Sequence, residues 1–302
     1  MKPRLFLHRH MLLLVPLALT FATEVAFSQP TASEAKKFEA GVDASALALG
    51  ERHQSKNKSA QYYRHLAEFV AGNMMFVVLH EMAHAIISDM DIPILAREED
   101  VADSFAATRL IKIQSGISDR VLTEAAQGFF TSNRRDKKES NPIVYYDDHG
   151  LDLVRAYQIV CLVVGSDKDK FKQLAAETKL PEDQQATCVG DYGKTARAWD
   201  VVLKPHLRRP DQPRTNIDVT YGDAKDGLEI HAQTFRSIQL LEIIAQHATD
   251  QFVWSAPVTL EMQTCGFINA RWVAKTRKLT MCYELAADFV DLYDTYGTGD
   301  LQ

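Results

Sequence analysis

Apolar residues recur at helical spacing over residues 61–90, which predicts a long helix with a break near Gly72-Asn73. In its second half, Phe76-Val77-Val78-Leu79 and Ala85-Ile86-Ile87 make that helix apolar nearly all round, so it should be buried. Residues 98–113 predict a second helix, and 149–164 an amphipathic one ending at Gly165. Residues 29–60 are polar and read as a loose arm or an exposed helix, and 131–142 read as a charged loop. Pro205, Pro210 and Pro213 mark a soft joint over 203–215. Beyond it, strands are expected near 217–221, 258–264, 268–273 and 279–281, with helices at 234–247 and from 283 to about 293. No internal repeat is visible. The pattern predicts an α+β fold, mostly helical, with a helix pair packed on a small sheet built largely from the C-terminal segment.

Composition adds exclusions. A chain of 302 residues with 46% hydrophobic and 25% charged residues is neither disordered, collagen-like, coiled-coil nor polytopic. Its net charge of −6 argues against a broad nucleic-acid-binding surface. Lys2, Arg4 and Arg9 precede a short apolar run at 11–22, and Ala26 and Ser28 follow it. This is the pattern of a cleaved secretory signal over 1–28, since the run is too short for a span of roughly 20 residues. The expectation is an exported protein, periplasmic or secreted. No second long apolar run is evident, so no membrane span is expected after cleavage. The mature chain would divide into the 29–60 arm and one domain over 61–302.

Export changes the meaning of the four cysteines. Nearest-neighbour pairing gives Cys161–Cys188 and Cys265–Cys282. The two other pairings, free thiols and a metal site stay open, although no C-x-x-C spacing exists.

The candidate chemistry is concentrated in residues 80–103. His80-Glu81-Met82-Ala83-His84 is an H-E-x-x-H motif. On a helix, positions i and i+4 share a face, so His80 and His84 can meet one zinc ion, and Glu81 can take a proton from water on the metal. Fifteen residues on, Glu99 and Asp103 also share a face. Glu99 is the candidate third ligand. Asp103 can accept the free N–H of a ligating histidine. Glu98 competes with Glu99, but its i+4 neighbour Ala102 carries no acceptor. Chance explains such a motif in some chains, and the acidic run also suits a helix N-terminus.

H-E-x-x-H followed by E-x-x-A-D resembles the gluzincin zinc metallopeptidases, in which two histidines and a downstream glutamate hold the metal. More narrowly, HEMAHAI, REEDVADSFA, YYDDHGLDLVRAYQIVCLVVGSD and CGFINARWVAKTRKLTMCYEL resemble a family of exported bacterial proteins described only as candidate metallopeptidases. The resemblance runs from about residue 73 to 294. A histidine followed six residues later by arginine is similar to the neprilysin-like branch. That similarity implies that His149 stabilises an oxyanion, that Asp147 orients it, and that Arg155 grips substrate backbone. A helix N-cap at Asp147 or Asp148, with Arg155 in a surface ion pair, fits the same residues. Asn269-Ala270-Arg271-Trp272 is similar to the N-A-aromatic edge strand with which gluzincins bind extended peptide, although here it follows the zinc helices. It also fits an ordinary strand. Glu284 fits either structural support or the site. His53, His65, His206, His231 and His247 lack ligand spacing, and Tyr145, Tyr146 and Tyr157 read as core or rim aromatics.

The expected function is therefore a zinc-dependent peptidase with one zinc per chain, a peptide or protein substrate and a Glu81-activated, zinc-bound water. An inactive metallopeptidase-like periplasmic binding protein and an amidase acting on cell-wall peptides are the alternatives. The oligomeric state is not readable.

Overall fold

The computed structural model describes residues 29–52 and 58–297. The expected signal at 1–28 and His53 lie outside the described residues. What is described is α+β and mostly helical, as the pattern predicts.

The first helix, α1 (Ala32–Arg52), starts at a reciprocal cap: Glu34 N–H donates to Thr31 Oγ1 (3.2 Å), and the Glu34 carboxylate accepts from Thr31 N–H (2.7 Å). It is neither a loose arm nor a fully exposed helix. Phe38, Val42, Ala46 and Leu49 recur on one face and are buried against α2 (Ala60–Met90) and α8 (Glu229–Ile238). The charged residues of α1 occupy its other face.

The second helix, α2, is the axis of the protein. Ser59 Oγ caps it by accepting from Tyr62 N–H (3.1 Å), and it runs without the expected break at Gly72-Asn73. Gly72 instead lets α4 (Gly116–Glu139) approach closely, because a Cβ there would lie 2.7 Å from that of Glu124. Buried Asn73 bridges the crossing, its Nδ2 donating to Phe69 O (2.9 Å) and Glu124 O (3.0 Å). Among the described helices, α2 alone is long and apolar enough to cross a membrane. The absence of a second long apolar run is thus not borne out, although α2 is almost wholly buried by its neighbours.

The charged run 131–142 is mostly helix as well, because it forms the solvated end of α4. Arg135 pairs with Asp288 (2.9 Å), and Arg134 donates to Tyr296 O, both on α10 (Tyr283–Tyr296). Residues 234–247 span two helices, α8 and α9 (Leu240–Gln251), separated at Gln239, which is left-handed with φ 55°. The remaining helices are α3 (Glu98–Ile113), α5 (Asp152–Ser166), α6 (Lys172–Glu177) and α7 (Glu182–Leu203). The expected soft joint begins as a short 3-10 turn at Lys204–His206.

The sheet contains β1 (Ile217–Tyr221), β2 (Val258–Gln263), β3 (Ala270–Val273) and β4 (Lys278–Cys282), in the order β1-β2-β4-β3. The β1–β2 and β2–β4 pairs are parallel, and β3 lies antiparallel to β4 at the edge. The C-terminal end of α2 is tied to this sheet. Asp89 accepts from Ser255 N–H (3.0 Å) and from Arg277 Nη1 (2.5 Å), in the turn joining β3 to β4. The cysteines form Cys161–Cys188, joining α5 to α7, and Cys265–Cys282, joining the segment before β3 to the end of β4.

One buried charge has a testable consequence. Desolvation at the α2–α4 crossing, together with nearby Glu68, pushes the Glu124 carboxyl up from 4.5 to about 8. The folded state therefore binds a proton that the unfolded chain releases, so Glu124 lowers stability as pH rises from 4.5 through 8. A shift of that size corresponds to at most about 5 kcal/mol, and the residue's partial solvent contact reduces it. Glu124→Gln is expected to leave the melting temperature nearly unchanged at pH 4.5 and to raise it by several degrees at pH 9, read by thermal denaturation at both.

Candidate metal centre

The centre forms where α2 and α3 run antiparallel. The chain reverses over 91–97, beginning at Asp91, a left-handed cap whose N–H bonds Ile87 O. His84 consequently faces Glu98 and Glu99, while His80, one turn earlier, faces Glu99 and Asp103, one turn later. Helical periodicity puts both histidines on one face of α2 and both Glu99 and Asp103 on one face of α3.

The separations are short. His80 Nε2 lies 3.2 Å from His84 Nε2 and 3.0 Å from Glu99 Oε2, and His84 Nε2 lies 3.4 Å from Glu99 Oε1. On the far side of the rings, His80 Nδ1 is 2.8 Å from Asp103 Oδ1, and His84 Nδ1 is 2.8 Å from Glu98 Oε1. Burial pushes the Asp103 carboxyl up, but hydrogen bonds from Arg155 and His80 outweigh it and hold Asp103 below the usual range. It is an acceptor, so His80 Nδ1 is the donor, and Nε2 is the nitrogen left to face a metal. The Glu98 carboxylate imposes the same tautomer on His84.

Two imidazole Nε2 atoms and a carboxylate therefore converge. Ring protons hold this cluster together in the metal-free protein, and a metal ion would replace them. Burial opposes a charge on His80, yet Asp103 and Glu99 lift it to about 9. Burial likewise opposes ionisation of Glu99, yet His149, His80 and His84 hold it far below the carboxylate range. Four carboxylates, Glu81, Glu98, Glu99 and Asp103, lie around the two histidines, and the Arg155 guanidinium pairs with Asp103. The donor set fits a metal ion. Bonds of about 2.0–2.2 Å at tetrahedral angles separate ligand atoms by roughly 3.3–3.6 Å, close to the separations found.

The remaining candidate residues divide. Glu81 is buried, which raises its proton affinity, and the backbone N–H of Trp272 in β3 partly opposes that rise. His149 Nε2 is 3.0 Å from Glu99 Oε2, and Asp147 Oδ1 accepts the backbone N–H of His149 (2.9 Å). Neither Asp147 nor Asp148 caps a helix, since α5 begins only at Asp152. Arg155 is not in a surface pair. Its Nε and Nη2 donate to Asp103 (2.7 and 2.8 Å), and its guanidinium lies 4.2 Å over the Phe129 ring. Asn269 and Ala270 enter edge strand β3, where Asn269 O accepts from Cys282 N–H (3.1 Å). Glu284 holds the preceding turn, accepting from Cys265 N–H (2.9 Å) and Gly266 N–H (2.5 Å).

A family model described as "Putative metallopeptidase" matches residues 23–203 and 223–300. The chain belongs to that family. No curated protein and no solved structure matches it. In this metallopeptidase-family chain, the unmatched 204–222 covers the proline-rich joint and β1.

Three partners in the centre escape sequence reasoning. The role of Glu98 depends on the α2–α3 crossing, and its spacing argued against it. The Trp272 contact is made by backbone, which leaves no residue-type signal. Phe129 lies on α4, outside every motif.

Proposed function

We propose that this protein is a zinc-dependent, gluzincin-type peptidase acting in an exported compartment. The observation that carries this reading is the convergence of His80 Nε2, His84 Nε2 and the Glu99 carboxylate within 3.0–3.4 Å. Two imidazoles and one carboxylate form a donor set suited to zinc, and these three residues would hold it. When bound, zinc would polarise the scissile carbonyl and acidify a water. Glu81, between the two histidines in sequence, accepts the proton of the attacking water and returns it to the leaving amine. The Trp272 N–H orients the Glu81 carboxylate. Asp103 and Glu98 fix the tautomers of His80 and His84, and Arg155 holds Asp103 in place rather than gripping substrate.

Strand β3 supplies the peptide site. Asn269 O points toward β4, so by alternation Ala270 and Trp272 direct their backbone groups to the other edge, where Glu81 takes the Trp272 N–H. The backbone of Ala270 is then placed to pair with an extended substrate, with Asn269 beside it. Two disulfides suit an oxidising compartment and so favour export. Incubation with a peptide library tests the reading: cleavage is expected, should stop after dialysis against a chelator, and should return on adding zinc. Cleavage that survives chelation would refute the metal dependence.

A further inference from the structure

His149 is a third imidazole at the centre, and its surroundings repeat those of His80 and His84. Its Nε2 lies 3.0 Å from Glu99 Oε2, the oxygen that is also 3.0 Å from His80 Nε2. Ligand atoms of His80, Glu99 and His149 all lie within 4.8 Å of one another, and the His149 ring stacks on His80 at 6.3 Å between centroids. Its Nδ1 faces Asp147 Oδ1 at 3.4 Å. All three histidines thus turn Nδ1 toward a carboxylate and Nε2 toward the Glu99 carboxylate, the outer-shell pattern of metal-bound imidazoles. With Nδ1 turned to Asp147, Nε2 is the nitrogen that His149 can offer a metal, beside the shared Glu99 oxygen.

We propose that His149 is a fourth protein ligand, so that His80, His84, Glu99 and His149 close the metal centre in the resting protein. This rests on the zinc reading above and adds regulation to it. Sites with four protein ligands are closed, whereas catalytic sites keep a position open. The chain between α4 and α5 that carries His149 has no regular structure, and Ile143, Tyr145 and Tyr146 on it are exposed. His149 itself keeps 52% of its side-chain surface in solvent. Withdrawing it would disturb little of the core and would open a coordination position for substrate.

The test uses the full chain and two metals. Zinc affinity is measured by competition with a chromophoric chelator in wild type, His149→Ala and Asp147→Ala. His149→Ala should weaken zinc by about tenfold or more, with a smaller loss for Asp147→Ala. In the cobalt(II)-substituted proteins, azide should change the visible spectrum of His149→Ala and leave wild type unchanged. Because half of the His149 side chain lies in solvent, the metal-free melting temperature of His149→Ala should fall only slightly, and a cooperative transition confirms folding. Zinc bound equally well by wild type and His149→Ala, with azide altering both cobalt spectra, would overturn the fourth ligand alone. A wild-type chain that binds no zinc would overturn both this proposal and the peptidase reading.

Discussion

Replacing Glu81 with Gln is expected to abolish peptide hydrolysis while leaving the metal in place. The substitution preserves shape, and the amide oxygen can still face the Trp272 N–H. It removes the proton acceptor. General acid–base groups contribute about 10²–10⁴-fold, so kcat/KM should fall by about that range. Glu81 is not among the converging ligand atoms, so zinc content measured on the same sample should match wild type. A variant that keeps both zinc and wild-type turnover would remove Glu81 from the chemistry. A variant that loses zinc would make it a ligand.

Asp103→Ala is expected to produce the largest loss of stability. Asp103 is buried and serves two partners: it accepts from His80 Nδ1 (2.8 Å) and takes both donors offered by Arg155 (2.7 and 2.8 Å). Truncation leaves the largely buried Arg155 guanidinium without its counter-charge. Breaking one side of such a pair costs roughly 3–5 kcal/mol, far more than the pair adds over an apolar replacement. It also frees the His80 ring to rotate or change tautomer, which should weaken metal binding by about 10–100-fold. Urea denaturation of the metal-free proteins isolates the first effect, and zinc competition reads the second. A metal-free Asp103→Ala variant as stable as wild type would show that Arg155 finds another partner.

The centre was legible wherever one helix determines the answer. The i,i+4 rule places His80 with His84 and Glu99 with Asp103, and apolar flanks predict burial of the H-E-x-x-H helix. The legible part ends where two elements meet. Glu98 reaches His84 only because α3 runs back along α2, and Arg155 reaches Asp103 only because α5 packs on α3. Glycine misled for the same reason: Gly72 resembles a helix break, yet it serves a close helix crossing. Charge misled at 131–142, where a solvated helix end has the composition of a loop. The strands were readable from their alternation. The position of β3 beside Glu81 was not, because it depends on a backbone N–H and on the Asp89–Arg277 tie between α2 and the sheet.

The central claim is that His80, His84 and Glu99 form one metal centre. Metal analysis of the purified chain, before and after exhaustive chelation and with His84→Ala in parallel, tests it most directly. One zinc per wild-type chain is expected, with a fall in melting temperature on its removal and little zinc in His84→Ala. Wild-type protein that contains no metal, takes up none when zinc is added, and melts at the same temperature with and without chelator would contradict the claim.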